Sequence, residues 1–360
     1  MDGTPNQTAR VLVVGCGAIG GSVLARLVRA GRCSVVGTTT NAEIADRLRA
    51  RGVRVDGVDG AFDVPITAEQ VWLDVPGAPP PEGPFDAVIL ATQPPQVEEA
   101  ARRVVGSLAP DGRIVVLQNG LCEERLARWA GADRVVGGVV AWGASMAEDG
   151  VYTRTSTGGF VLGRLDGDTH EPALARLAEL LSAVGPTTIT GNLRGARWSK
   201  LAINCAISTL GTIGGDRLGA LMRHAFVRRT ALHVMTEVVQ TARAEGVRLE
   251  KVAGTLDLDW LAIPEGIGVA GWAVRHGALL AVGTRYRNLR SSMLAAIERG
   301  RPPSVDFLNG EVVARAEARG VPVPFNTAAT DTVHRIARGE ARPSLNTLRA
   351  MALALGVPSA

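Results

Sequence analysis

The chain has 360 residues, enough for two domains at about 100–200 residues each, and its 46% hydrophobic content is that of an ordinary globular protein. The net charge of +4, from 39 basic and 35 acidic residues with no Lys/Arg-rich block, argues against a nucleic-acid partner and suits an anionic substrate or cofactor. The longest apolar runs, near Leu201–Ile213 and Ile267–Gly283, are broken by Asn204 and by Arg275-His276, short of the about 18 uninterrupted residues of a membrane span. Cys16, Cys33, Cys122 and Cys205 are scattered with no CxxC pair, and the opening Met-Asp-Gly-Thr-Pro-Asn-Gln has neither a basic nor an apolar region. A cytoplasmic protein with reduced thiols, no membrane partner and no secretory signal is expected.

Val11-Leu-Val-Val-Gly15-Cys-Gly17-Ala-Ile-Gly20-Gly21 reads as a strand running into a Gly-x-Gly-x-x-Gly turn, and the residues from Ser22 read as a helix. That order is what a dinucleotide phosphate needs. Gly15 permits the turn, Gly17 leaves room for the pyrophosphate, and Gly20 lets helix and strand pack closely. The phosphates then lie against Gly15, Cys16, Gly17, Ala18, Ile19 and Gly20 at a helix N-terminus. A plain glycine turn is the alternative. Cys33–Gly37 reads as the second strand, ending at Thr38-Thr39-Thr40-Asn41 with none of the carboxylates that hold an NAD ribose. Hydroxyls there, from Thr38 and Thr39, favour NADPH. Arg47 on the following helix reads as a solvated surface arginine.

Gly52–Pro84 reads as a short strand and a long connection, because Pro76, Pro79, Pro80, Pro81 and Pro84 prevent helix. Phe85–Thr92 is a buried parallel strand, Gln96–Leu108 an amphipathic helix, and Arg113–Leu117 the next strand, with Gln118-Asn119-Gly120 at its tip. Ligands of open α/β sheets bind at that edge, so Asn119 is either a ligand-facing residue or a turn residue. Val135–Val140 and Tyr152–Gly163 read as further strands, and Glu171–Ala183 as the last helix of this domain. The boundary falls near 190, beyond which the periodicity is helical.

In Ala196-Arg-Trp198-Ser-Lys200-Leu-Ala-Ile-Asn204-Cys-Ala-Ile-Ser208, the polar residues Lys200, Asn204 and Ser208 stand at i, i+4 and i+8 along one face of an apolar helix. Lysine is rarely buried without a partner or a task, and desolvation lowers its pKa toward acid–base use. The alternative is a lysine snorkelling to solvent. Asn288–Met293 and Val305–Ala318 read as helices, Gly320 as a C-cap, and Pro343–Ala360 as one more amphipathic helix with no assignable role. No His/Cys/Asp cluster has metal-ligand spacing.

Taken in order, Gly15-Cys-Gly-Ala-Ile-Gly20, Gln118-Asn119-Gly120, Trp198-Ser-Lys200-x3-Asn204, Ser291-Ser292-Met293, Gly300-Arg301-Pro302…Asp306-x2-Asn309-Gly310 and Val323-Pro324-x-Asn326 resemble the ketopantoate reductase (2-dehydropantoate 2-reductase) family over about residues 11–330. The resemblance implies an α/β fold. A Rossmann-type doubly wound sheet over 1–190 would be followed by an all-helical substrate and dimerisation domain over 191–340, with a C-terminal extension over 341–360 and the active site in the cleft between the domains. It further implies a homodimer and hydride transfer from NADPH to a 2-oxo carbon. Lys200 corresponds to the general acid, Asn119 to the asparagine at the cofactor–substrate junction, and Asn204 and Ser292 to substrate-holding positions.

Four positions depart from the family pattern. Pro303-Ser304 stands where a substrate-contacting glutamate is usual, Ser208 replaces a second helix asparagine, Ala296 an acidic residue, and Gln93 a lysine near the cofactor. Three of these remove polar groups from the substrate side, which points away from ketopantoate and toward a larger or less polar 2-oxo acid. Asp306 and Glu298 are the nearest candidates to compensate. The alternatives are a genuine 2-dehydropantoate 2-reductase, a β-hydroxyacid dehydrogenase, which lacks its expected glycine-rich substrate segment here, and a non-catalytic NADP(H)-binding sensor. His170, His224, His233, His276 and His334 lie in no catalytic motif.

Overall fold

A computed structural model describes residues 8–251 and 257–358. The opening Met1–Gln7 and the last two residues therefore lie outside the described part. The chain divides into two compact units: Cys122–Leu193 joins everything up to Gln118, and Asn119–Leu121 goes with Arg194 onwards.

In the first unit the described elements are β1 (Arg10–Val14), α1 (Ala18–Ala30), β2 (Ser34–Thr39), α2 (Ala42–Arg51), β3 (Val53–Gly57), β4 (Phe62–Val64), β5 (Val71–Leu73), β6 (Phe85–Leu90), α3 (Val97–Val104), β7 (Leu108–Val116), α4 (Cys122–Ala130), β8 (Val135–Val140), β9 (Ala144–Glu148), β10 (Val151–Arg154), β11 (Phe160–Arg164), α5 (Pro172–Ser182) and β12 (Thr187–Ile189). The larger sheet has the order β12-β11-β8-β7-β6-β1-β2-β5. Its pairs from β5 to β8 are parallel, and β11 turns antiparallel onto β8. β1 lies between β2 and β6, with Val11 opposite both Val35 and Ala87. This is where the winding reverses, the place at which doubly wound sheets hold their ligands. The apolar runs of β1 and β6 are buried on both faces, as central parallel strands require.

A second sheet, β4-β3-β10-β9, joins two stretches of chain about a hundred residues apart, and α1 packs against β1 and β2 as well as against β3, β9 and β10. The three-residue strands β4, β5 and β12, and β9, are absent from the sequence reading, which also has no helix where α4 forms.

The second unit is helical among its described residues: α6 (Leu193–Gly214), α7 (Leu218–Met222), α8 (Ala225–Ala244), α9 (Leu258–Leu261), α10 (Val269–Arg285), α11 (Ser292–Glu298), α12 (Asn309–Glu317), α13 (Pro324–Ala337) and α14 (Leu345–Ala354). Its centre is α8, which packs against α7, α9, α10, α12, α13 and α14. Asn288–Arg290 is a turn rather than helix, because Ser291 caps α11 by accepting from Leu294 N–H. The long helix expected over Val305–Ala318 is a 3-10 turn, Val305–Phe307, followed by α12. Gly320, with φ +66°, sits just beyond its end. Pro324 occupies the first turn of α13, where its missing N–H costs nothing, so a further helix begins just beyond the Gly320 turn. The helix expected after Pro343 is α14. It belongs to this unit's core, with Leu348, Met351 and Ala352 buried, as is Val357 just beyond its end.

A satisfied polar network lies inside this core. Glu237 accepts from Phe325 N–H, Asn326 N–H and Asn326 Nδ2, at 2.9, 2.9 and 2.7 Å. Asn309 Nδ2 donates to Asn326 Oδ1 and to the Cys205 carbonyl, while Thr209 Oγ1 donates to Asn309 Oδ1. The motif residues Asn309 and Asn326 are thus fully buried ties between α6, α8, α12 and α13.

Candidate active site

At the end of β1, Gly15 has φ +99°, and a Cβ there would lie 3.1 Å from Thr92 at the end of β6. A Cβ on Gly20 would stand 1.9 Å from the Gly15 carbonyl and 3.0 Å from Ala91 Cβ, so this glycine sets the approach of helix to sheet. A Cβ on Gly17 meets nothing within 4 Å: the space beside it is open. α1 begins at Gly17 with no side-chain cap and no acidic residue in its first turn. Uncapped N–H groups, a positive helix end and an open face beside Gly17 form a cradle that fits a pyrophosphate. The side chain of Cys16 takes no part. It is buried, desolvation pushes its thiol up to about 12, and the residue's backbone N–H and C=O are both engaged within the fold, so the donors open to a ligand are those from Gly17 onward.

The Thr38 carbonyl accepts from Gly15 N–H and Cys16 N–H, both at 3.0 Å, so β2 holds the loop from one side. Thr38 and Thr39 are buried, and Thr39 Oγ1 accepts from Asn41 N–H at 3.2 Å. Asn41 caps α2 by accepting from Ile44 N–H. Part of the polarity read at this strand end therefore organises the turn, although the Thr39 hydroxyl proton remains to donate. Gln93 is exposed, immediately after Thr92, whose carbonyl and hydroxyl both accept from Gln118 Nε2 at 3.2 Å.

In the second unit, α6 is buried around most of its circumference, and beyond Arg194 in its first turn its partly open positions are Lys200, Ile203, Asn204, Ile207 and Ser208. The three polar residues share this face, as their spacing predicts. Burial, and secondarily the Arg197 guanidinium one turn away, pulls the Lys200 ammonium down from 10.5 to about 7. Asn204 Nδ2 is buried and makes no hydrogen bond among the described residues, leaving a donor on the same face as Lys200. The Ser208 carbonyl accepts from Thr212 Oγ1 and Ser291 Oγ at 2.9 and 2.8 Å.

Of the serine pair on α11, Ser291 is buried against α6 and Ser292 is exposed. Ser304 is half-buried, and its carbonyl accepts from Phe307 N–H. Gly120, with φ +92°, passes so close to that turn that a Cβ would lie 2.4 Å from the Phe307 carbonyl. The Asn119–Gly120 corner is thus packed beside the Ser304–Phe307 turn. Neither compensating carboxylate is at hand: Glu298 pairs with Arg290 at 3.0 Å, and Asp306 with His334 at 2.8 Å. His233 stacks on Phe325 with ring centroids 4.5 Å apart.

The sequence reading missed Arg197, whose charge bears on Lys200, and Tyr152, whose hydroxyl donates to the Cys16 carbonyl at 2.9 Å. Arg197 lay in the quoted helix and only its charge, three residues before the lysine, marked it. No local pattern marks Tyr152.

Two family models cover most of the chain: "Ketopantoate reductase PanE/ApbA" over residues 11–167 and "Ketopantoate reductase PanE/ApbA C terminal" over 192–337. The 2-dehydropantoate 2-reductase of Halobacterium salinarum is 28% identical over 326 residues, 90% of this chain and 97% of that protein. The enzyme of the same name from Pyrococcus horikoshii is 24% identical over 320 residues, covering 88% and 94%. Among solved structures, a PanE/ApbA family ketopantoate reductase from Ralstonia eutropha superimposes with a TM-score of 0.74 at 26% identity, covering 92% of this chain and 99% of that one. D-mandelate dehydrogenase in complex with NADH and anilino(oxo)acetate superimposes at 0.76 with 18% identity over the same shares, a likeness of fold. With both family models matched in order and relatives aligned along nearly their whole length, this chain belongs to the ketopantoate reductase family of oxidoreductases.

Proposed function

We propose that this protein is an NADPH-dependent reductase of a 2-oxo acid, with Lys200 as general acid. The observation that carries the reading is the Lys200 ammonium, held near 7 on a largely buried helix beside the unpartnered Asn204 Nδ2 donor. An acid with that pKa is poised to give up its proton near neutral pH. Bound dinucleotide would supply the hydride. The backbone of Gly17, Ala18, Ile19 and Gly20 would hold its pyrophosphate, Gly15 and Cys16 shaping the loop with their N–H groups given to the Thr38 carbonyl, with Thr38, Thr39 and Gln93 on the nucleotide side and Asn119 at the junction with substrate. Lys200 would polarise the carbonyl and protonate the developing alkoxide, while Asn204, Ser208, Ser292 and Ser304 orient the acid. NADPH is favoured over NADH because β2 ends without a carboxylate to hold a ribose hydroxyl.

The substrate is read as an acid larger or less polar than ketopantoate. Ser304 stands where the family's glutamate is expected, and Glu298 and Asp306 are engaged with Arg290 and His334. The D-mandelate dehydrogenase of the same fold, whose named substrate carries a ring next to its carbinol carbon, supports such an acid being accommodated.

We read residues 1–190 as the cofactor domain and 191–340 as the substrate and dimerisation domain of a cytoplasmic homodimer. One ketopantoate reductase of the same fold, from Staphylococcus aureus, is described as dimeric. No helix among the described residues is long and apolar enough to cross a membrane.

The test is oxidation of NADPH and of NADH by the purified protein against ketopantoate and a graded series of aryl and branched 2-oxo acids. The proposal predicts faster turnover with NADPH and the highest kcat/KM on a bulky acid. Efficient turnover of ketopantoate with little response to bulkier acids would make it an ordinary 2-dehydropantoate 2-reductase. Binding of NADPH with no turnover would favour a sensor.

A further inference from the structure

Tyr152 is fully buried on β10, in the second sheet, and its ring lies flush against the first turn of α1. A Cβ on Gly21 would stand 2.0 Å from Tyr152 Cζ, so the fourth glycine of the loop sequence is what admits the ring. From there the phenol hydroxyl donates to the Cys16 carbonyl across 136 positions of sequence. The same short stretch is held on its other side by the Thr38 carbonyl, which accepts from Gly15 N–H and Cys16 N–H.

We propose that Tyr152 is the positioning residue of the dinucleotide cradle, acting through the Cys16–Gly17 peptide; this inference rests on the dinucleotide reading above. In a planar trans peptide the C=O and the following N–H point in opposite directions. Drawing the Cys16 carbonyl toward the buried phenol therefore turns the Gly17 N–H the other way. Beside Gly17 the structure is open, since a Cβ there meets nothing within 4 Å. Tyr152 touches neither cofactor nor substrate; it orients a donor and prepays the ordering of the loop. The hydroxyl is a durable donor, because burial keeps its pKa well above the ordinary phenol range.

The experiment compares wild type and Tyr152→Phe, which keeps the ring, by calorimetric titration with NADPH and with adenosine 2′-monophosphate. The second ligand has the adenosine end but no pyrophosphate. Loss of one hydrogen bond should weaken NADPH binding by about three- to tenfold and leave the monophosphate unchanged. A general loosening of the fold would weaken both ligands alike, and that result, or equal NADPH affinity in the two proteins, overturns the inference. Should Tyr152→Phe not accumulate in folded form, the same comparison is made in a Lys200→Met background, which removes a desolvated ammonium and needs no turnover. If wild-type protein binds no NADPH, the dinucleotide reading itself fails, a different outcome from equal binding by wild type and variant.

Discussion

Replacing Lys200 by methionine should make the protein more stable at neutral pH while destroying its chemistry. The Lys200 pKa falls from 10.5 to about 7 on folding, chiefly through burial and then through Arg197. Between those two values the unfolded chain binds a proton that the folded chain does not, so stability rises with pH across that window. Below about 7 both states are protonated and the full penalty is present; above 10.5 neither is, and it vanishes. Each pKa unit is worth about 1.36 kcal/mol, which sets a ceiling of about 5 kcal/mol for this shift. Lys200 is partly open to water and has polar neighbours, and we expect about 2 kcal/mol. The assay is denaturant unfolding of wild type and Lys200→Met at pH 6.5 and pH 9.5. The variant should unfold at a higher midpoint at pH 6.5, and its advantage should shrink markedly at pH 9.5. Equal stability at both pH values would show that Lys200 is not desolvated, and the acid–base reading of α6 would lose its physical basis.

Three further outcomes follow from the same geometry. The reduction rate of wild type should fall as pH rises through about 7, where Lys200 loses the proton it must donate; a rate still flat at pH 9 would contradict this. Gly17→Ala should keep its thermal midpoint and lose NADPH binding, because its Cβ fills open space beside the cradle, whereas Gly20→Ala should lose stability because its Cβ strikes the Gly15 carbonyl. The pair is read by thermal unfolding and ligand titration, and a Gly17→Ala protein with full NADPH affinity would remove the pyrophosphate from that spot. Glu237→Leu strands the Phe325 and Asn326 N–H groups at the start of α13 and should cost about 3 kcal/mol, measured as a shift of the unfolding midpoint.

Much of this was legible in the chain because it is local. Strand, glycine turn and helix are adjacent from Val11 to Arg29, and β1, β6 beyond Asp86 and the end of β7 from Ile114 announce themselves as apolar runs, whereas the Pro110–Arg113 stretch hid the first half of β7. The face shared by Lys200, Asn204 and Ser208 follows from helix periodicity alone. What escaped is either too short or too distant to leave a pattern. β4 and β5 have three residues each, below any period, and α4 buries only Cys122, Glu123 and Leu126. α13, opening at Pro324, was not read as a separate helix because a proline in the first turn looks the same in sequence as one that follows a helix end. Asn309 and Asn326 are motif residues whose task is to tie helices together, which only their partners reveal. Tyr152 depends on pairing β3 with β10, a contact between distant stretches of chain.

The most direct test of the account is the single-turnover rate of NADPH oxidation by Lys200→Ala, on whichever 2-oxo acid wild type reduces best, alongside its affinity for NADPH. A positioned general acid is worth roughly 10²–10⁴ in rate, so the account predicts a loss of that size with cofactor affinity unchanged. A variant that turns over at the wild-type rate would contradict it, and Lys200 would then be a structural lysine on a buried helix.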